Sequence, residues 1–371
     1  MHFYENEKSI YVVAEGYLTV APGNPRKAFL KWAIANGLNP LKFKILNISE
    51  LRQDDVLFMF QYTTFNRLDT KTPSTFWEDR KHIISSMQRC KAFKVVHLTH
   101  YFVNTGKASK LTELANIDLI VSEANLSKHS KYFKHFYPWY KKDVYTLPFI
   151  PDKRFCNKRN YEERKNKAIA CGSISYSSDE VKHFFGVEKL QPMRQTILDN
   201  KKHLENEITS FIVESFKFSE FKAKTASRIQ RFIRAILVIA KAYLLPRKPF
   251  KHPLTDYDIV ANLNSYKMAV VPEEIIDVPG ITFEEAMLCG TAYIGKRCSI
   301  YDDYGMIEGK HFIAYDGTLE DLVKTIRYYQ THQEELEQIA KNGERFATHH
   351  FSAEKICNEF VTYCLQCAKE R

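Results

Sequence analysis

Asp277-Val-Pro-Gly280-Ile-Thr-Phe-Glu-Glu285-Ala-Met-Leu-Cys-Gly290-Thr-Ala-Tyr-Ile294 is the stretch on which the reading of this chain turns. It follows an apolar run, Lys267–Val271, with the character of a buried strand. A Pro-Gly turn leads into a short helix opening near Thr282 and stopping at Gly290, and a second strand, Ala292–Ile294, comes next. The start of such a helix has free amides and the positive end of a dipole, which suit a diphosphate. Gly280 lets backbone approach a ligand closely, and Glu285, one turn in, can accept from sugar or ribose hydroxyls. An ordinary loop–helix–strand unit with a solvated Glu285 fits the same letters, and local physics leaves the two readings balanced.

Outward from this unit, strands and helices alternate on both sides. Ile10–Glu15, Lys42–Ile48, Val56–Tyr62, Lys94–Leu98 and Ile117–Ser122 read as buried strands, with an amphipathic helix from Pro25 to Asn36 stopped by Gly37. Val144–Leu147 is the last strand of this half, and irregular, charge-rich sequence follows to Lys167 as a linker. The pattern restarts with Ala168–Cys171, and helices follow at Phe283–Leu288, Leu319–Gln330, Gln333–Phe346 and Ala353–Lys369. Two consecutive doubly wound α/β halves are expected, with ligands beyond the C-terminal strand ends. The expected lobes are 1–152 and 153–352, with the C-terminal helix 353–371 free to pack back on the first.

From about Gln191 to Leu245 the chain looks helical with no strand between, so a helical basic insert is expected over about 191–251. Residues 222–251 hold nine basic residues and no acid: Lys222, Lys224, Arg228, Arg231, Arg234, Lys241, Arg247, Lys248 and Lys251. Ile229, Phe232, Ile233, Ile236, Leu237, Ala240 and Leu244 form an apolar stripe at helical spacing. Of the formal net charge of +10, nine units lie here, so the rest of the chain is nearly neutral. A packed surface helix is one reading. An anionic membrane surface is favoured, with Arg228, Arg231, Phe232, Arg234, Lys241, Arg247 and Lys248 as its contacts. Nucleic acid is the weakest partner, because an aliphatic stripe offers no stacking platform.

A hydrophobic fraction of 44% with 26% charged residues excludes wholesale disorder. Eight cysteines at irregular spacing do not form a disulfide scaffold, and Cys364-x-x-Cys367 reads as core thiols beside Cys357 and Phe360. The N-terminus shows no signal-peptide pattern and no apolar run is long enough to span a bilayer, so a cytoplasmic protein is expected.

The 277–294 stretch resembles the acidic-x7-Glu signature of group 1 (family 4-like) retaining glycosyltransferases, which have the GT-B fold. Asp277 stands where their first Glu stands, one methylene shorter. Gly280, Glu285-Ala-Met and Gly290 match, and Ala292 replaces a Pro. The segment Ile313 to Phe351-Ser352 is similar to that family's C-terminal run, and Val144 to Asp152 to its linker. Lys94-Val-Val-His-Leu-Thr-His100 resembles the strand that ends in a sugar-facing His, while His97 reads as core. Gly23, ahead of the Pro25 helix, stands at the place of a glycine-rich loop over the diphosphate, without the usual pair.

The resemblance implies a nucleotide-diphosphate sugar as donor. Asp277 and His100 would orient the sugar. Amides at Gly280, Ile281 and Thr282 would hold the diphosphate, and Glu285 the nucleotide. The family's Arg and Lys after the first strand of this lobe are missing from Cys171-Gly172-Ser173-Ile-Ser175. Gly172 and Ser173 still offer amides. Arg194, on a helix opened by Pro192, is the first candidate to replace the charge, ahead of Lys182, Lys189, Lys296 and Arg297. No metal or other cofactor is expected. Asp256-Tyr-Asp258 has the letters of a metal-dependent transferase motif but precedes an apolar run and resembles a helix cap. The expected acceptor is a glycan or lipid-linked saccharide at the cytoplasmic face of a membrane. The competing expectations are a catalytically idle GT-B scaffold on a membrane and a GT-B nucleotide-sugar epimerase.

Overall fold

The computed structural model describes residues 10–12, 39–40, 48, 51–61, 64–65, 83–98, 101–214 and 258–371. Gly23, His100, the expected 25–36 helix and the basic residues of 222–251 lie outside the described residues. Two parallel sheets organise the rest. The first runs β2(Asn39–Pro40), β1(Ile10–Val12), β3(Val56–Phe60), β4(Phe93–His97), β5(Leu119–Ser122), β6(Tyr145–Thr146). The second runs β11(Ile313–Tyr315), β10(Ala292–Lys296), β9(Tyr266–Val270), β7(Lys165–Ile174), β8(Ile208–Glu214). Strands are buried on both faces, as β3, β4 and β5 show at every position, because helices cover each side. This is the doubly wound α/β architecture twice over.

Helical segments form where the apolar period and the caps agree. Helix Ala353–Glu370 buries Ile356, Cys357, Phe360, Val361 and Cys364, and is capped by Ser352, whose hydroxyl accepts from the Lys355 amide. It packs on the first sheet: Phe360 meets the Phe58 ring edge-on at 5.5 Å, and Arg371 pairs with Asp118 at 3.3 Å. Asp258 caps helix Ile259–Leu263 by accepting from the Ala261 amide at 3.0 Å.

Three expectations are corrected. The span from Gln191 is not helical throughout. Helix Pro192–Asp199 is followed by β8, which pairs in parallel with β7 from Ala168↔Ile208 to Ile174↔Glu214. Its β-branched residues fit an edge strand, with Ile208, Ser210 and Ile212 buried and Phe211 exposed. Residues 191–214 therefore belong to the second α/β lobe, and any insert begins after Glu214. The expected Lys42–Ile48 strand does not reach Ile48, which sits in a helical turn, and residues 42–47 lie outside the described residues. The irregular segment ends sooner than expected, because β7 already begins at Lys165.

One apolar cluster runs from the first sheet across the space between the lobes, taking in Val181, Val271, Ile276, Val278 and Phe283 of the second. The lobes are thus joined by burial as well as by chain.

Candidate active site

In the second sheet the winding reverses at β7, whose neighbours β8 and β9 are reached by crossovers in opposite directions. A crevice opens beyond the carboxyl ends of strands at such a reversal, and ligands bind there. Gly172 and Ser173 end β7, while Val271 and the 272–280 loop follow β9. The side chain of Arg194 lies between them. A Cβ on Gly172 would meet Arg194 Nη1 at 3.0 Å, and one on Gly280 would meet Arg194 Nη2 at 3.0 Å and Val271 Cγ1 at 2.9 Å. Only glycine leaves the guanidinium this room, and Gly172 also has φ +130°.

Arg194 is buried, with 9% of its surface exposed. Nη1 donates to the Ser173 carbonyl at 2.9 Å, and Nε has no hydrogen-bond partner. Burial lowers its pKa, against the pull of Glu274 and other acidic neighbours. An Arg stays charged regardless, so a buried cation with an unused donor faces this crevice. Pro192 at the first helical position directs the side chain there, since it opens the helix immediately below the β7 end.

A cavity of about 300 Å³ adjoins the same strand ends, lined in part by Pro192, Glu273, Asp277, Lys296, Tyr315 and Gly317. Asp277 is half-buried, and burial raises its pKa against the opposing influence of the Ser130 hydroxyl and of Lys296, His129 and Lys131. Its φ of +63° lies in the left-handed region, which costs a residue with a Cβ about 1–2 kcal/mol. Glu273 is fixed at the floor, where one carboxylate oxygen accepts from Tyr301 Oη, from Tyr293 Oη at 3.2 Å and from the Lys296 amide at 2.9 Å.

Helix Thr282–Leu288 carries two adjacent buried acids. Glu285 has 7% exposure, and burial pushes its pKa up to about 8, with Arg154 drawing it down and Asp152 raising it further. Glu284 is wholly buried. Burial, with Glu285 and Glu123 nearby, raises its pKa strongly, with the Phe149 backbone drawing it down. Sequence reading singled out Glu285 and passed over Glu284; a run of acids on a short helix between two apolar strands was the available signal. At the other end of this helix Arg164 donates to the carbonyls of Cys289 and Gly290, at 2.8 and 2.9 Å, and to Thr291 Oγ1 at 3.0 Å.

The remaining sequence candidates fall at the surface or away from the crevice. Lys182 pairs with Glu188, Lys189 with Glu214, and Arg297 with Glu308. Lys296 is exposed at the rim of the cavity. His97, read as core, is buried at the end of β4, with Nε2 3.4 Å from Glu123 Oε1. Among the described residues no group of three or more His, Cys, Asp or Glu side chains is placed to hold a metal ion.

Residues 229–362 match a family described as glycosyl transferase-like. No curated protein matches the chain in sequence. Solved structures do resemble it. HepE of Anabaena in complex with UDP is 12% identical, over 96% of this chain and 99% of that one, with a TM-score of 0.54. Sucrose-phosphate synthase from Thermosynechococcus elongatus is 10% identical over 98% and 100%, with a TM-score of 0.53. A glycosyltransferase from Rickettsia africae is 11% identical over 99% and 100%, with a TM-score of 0.51. At such identities the likeness is one of fold, and that fold is GT-B. The family match lies largely on the lobe that holds the crevice, and the fold of the whole chain is GT-B.

Proposed function

We propose that the chain transfers a sugar from a nucleotide-diphosphate donor, with retention, to a glycan or lipid-linked acceptor at a membrane surface. The observation that carries this reading is Arg194, a buried cation with an unused donor between two close-approach glycines at the second lobe's crevice. A diphosphate fits it. Charge-assisted hydrogen bonds from the guanidinium neutralise the leaving group, with amides at Gly172, Ser173, Gly280, Ile281 and Thr282 assigned to the same diphosphate. Glu285 receives the nucleotide ribose. UDP is the first probe, because it is what the HepE structure holds.

Asp277, which lines the cavity beside the crevice, is assigned to orient the donor sugar. Glu273, Glu274 and Asp277 line the cavity, and Asp277 is assigned an orienting role rather than that of a nucleophile. The reaction is then a same-face displacement, as the resemblance implies: the glycosidic bond to the diphosphate breaks as the acceptor oxygen bonds to the anomeric carbon. The departing phosphate takes the acceptor's proton. Catalysis is positioning plus stabilisation of the leaving charge, without a metal. His100 and Gly23 are assigned to sugar and diphosphate from sequence alone.

A membrane partner rests on the sequence of residues 222–251, nine basic residues and an apolar stripe without an acid, which lie outside the described residues. A cationic surface would bring a lipid-linked acceptor to the chain, on the cytoplasmic face. Among the described residues no helix is long and apolar enough to cross a membrane.

The test is a panel of nucleotide diphosphates and their sugars, scored by thermal shift and by product analysis. Selective stabilisation by one nucleotide diphosphate is expected, together with loss of transfer in a folded Glu285→Ala variant. Full activity in that variant overturns the role of Glu285. No selective stabilisation favours an idle scaffold, and isomerised donor without acceptor favours an epimerase. Binding to anionic liposomes that fails at every salt concentration counts against the membrane partner.

A further inference from the structure

The loop carrying Asp277 is held from both lobes. Within its own lobe, the Asp277 amide donates to the Glu274 carbonyl at 3.0 Å, and the Glu274 amide donates to the Val278 carbonyl at 2.9 Å. From the first lobe, Tyr101 Oη donates to the Ile276 carbonyl at 2.6 Å, and Ser130 Oγ reaches the same oxygen at 3.5 Å. The Ile276 carbonyl and the Asp277 amide belong to one peptide plane. One lobe therefore pins one edge of that plane, and the other lobe pins the opposite edge. Rotating the plane changes φ of Asp277, which stands at a strained +63°, and swings its carboxylate.

Tyr101 is built for this contact. It is 1% exposed and packs on the Tyr132 ring at 5.7 Å. Its own carbonyl accepts from Thr105 Oγ1 at 2.6 Å, and that hydroxyl also pairs with Tyr132 Oη at 2.7 Å. Burial holds the phenol protonated well beyond the ordinary range, so it stays a donor. Two further contacts bring the lobes together around it. Glu180 accepts from the Thr105 and Gly106 amides at 2.6 and 2.9 Å, and His129 pairs with Asp303 at 2.6 Å.

We propose that Tyr101 is a positioning residue of the donor site, which makes the orientation of Asp277 depend on the docking of the first lobe. With the lobes apart, only the Glu274 carbonyl holds the peptide, and Asp277 is free to leave the left-handed conformation. With the lobes docked, the carboxylate is fixed beside the cavity. The donor sugar is then oriented only when the acceptor lobe is in place, which limits its loss to water. This inference rests on the glycosyl-transfer reading, and its test separates the two.

The variant is Tyr101→Phe, which keeps the ring and its packing and removes the hydroxyl. Three readouts are taken: amide exchange of residues 274–280, affinity for UDP, and turnover of UDP-glucose, with water as acceptor if no other is known. Loss of the hydrogen bond should speed exchange at the Asp277 amide about tenfold. UDP affinity should stay within about twofold, because Arg194 and Glu285 lie in the second lobe, while kcat falls about tenfold or more at an unchanged donor KM. Unchanged exchange, or unchanged kcat with wild-type activity present, overturns the proposal. Faster exchange in a chain whose wild type binds no nucleotide diphosphate keeps the positioning contact and overturns the glycosyl-transfer reading instead. Should Tyr101→Phe fail to fold, Ser130→Gly removes the second hydroxyl while a glycine still serves as helix cap, and the same shifts in the same direction are expected.

Discussion

At the carboxyl end of β7 the second lobe keeps a buried guanidinium between two glycines; at the carboxyl end of β4 the first lobe keeps an imidazole against a buried carboxylate. Both sheets wind the same way, and both turn their strand ends towards the space between the lobes. The difference lies in charge. Arg194 is a fixed cation at its crevice, whereas His97 lies 3.4 Å from the Glu123 carboxylate and neither of its ring nitrogens makes a hydrogen bond among the described residues. A twice-used fold can thus divide its labour by electrostatics, with an anionic ligand on one side and a neutral, hydroxyl-rich one on the other.

The comparison breaks most readily at Arg194. Arg194→Met should weaken UDP binding about 100-fold, since a hydrogen bond to a charged group contributes about 2–3 kcal/mol. Calorimetric titration decides it, and an affinity within threefold of wild type would show that the second lobe's cation is idle.

The next effect is on stability, and it should fall on the other lobe. His97→Leu removes one member of a buried polar pair and should cost about 1–3 kcal/mol in urea unfolding. UDP affinity should not move. A variant that folds normally but loses UDP binding would erase the proposed division between lobes.

A third effect sits where the lobes meet. Glu284 and Glu285 have pKa values raised by burial, Glu285 from 4.5 to about 8. The folded chain therefore retains protons that the unfolded chain releases. The stability associated with Glu285 is complete below about pH 4.5 and is lost as pH rises towards 8. The melting temperature should fall across that window, and Glu285→Gln should flatten the fall. An identical pH profile in the variant would mean that Glu285 titrates as an ordinary surface acid.

The smallest effect separates two glycines with left-handed backbone. Gly186 has φ +70° and open space where a Cβ would stand, so Gly186→Ala should cost only about 1 kcal/mol of conformational strain. Gly172→Ala adds a contact with Arg194, and should lower UDP affinity as well as stability. Equal losses in the two variants would argue that the Gly172 opening serves no ligand.

Much of this division was readable in the amino-acid sequence, for definite reasons. Thr282–Leu288 was legible because a Pro-Gly turn ahead of it and Gly290 behind it mark both ends within a few residues. Arg194 could be chosen because Pro192 announces a helix start, but its place between Gly172 and Gly280 depends on contacts between residues distant in sequence. β8 was missed because its run, Ile208 to Glu214, is short and follows a charged turn, and its partner β7 lies well upstream. Glu284 was passed over because adjacent helical residues differ by only about 100° in direction, and sequence alone does not say which of two acids meets the first lobe. Gly23, His100 and the basic stripe lie outside the described residues, so their roles stand on sequence alone.

Arg164 has a mechanical consequence. Its guanidinium grips the carbonyls of Cys289 and Gly290 at the far end of the helix bearing Glu285, and also Asn157 Oδ1 at 2.7 Å and the Arg159 carbonyl at 3.1 Å. The segment from Asn157 to Arg164 therefore rides with the second lobe as part of its frame. If the lobes part to admit donor and release product, the chain must flex between Thr146 and Asn157, and again near Phe351, where the helix returning to the first sheet begins. Two short pivots define a line, so they make a clamshell rather than a ball joint, and they confine the opening to a single axis.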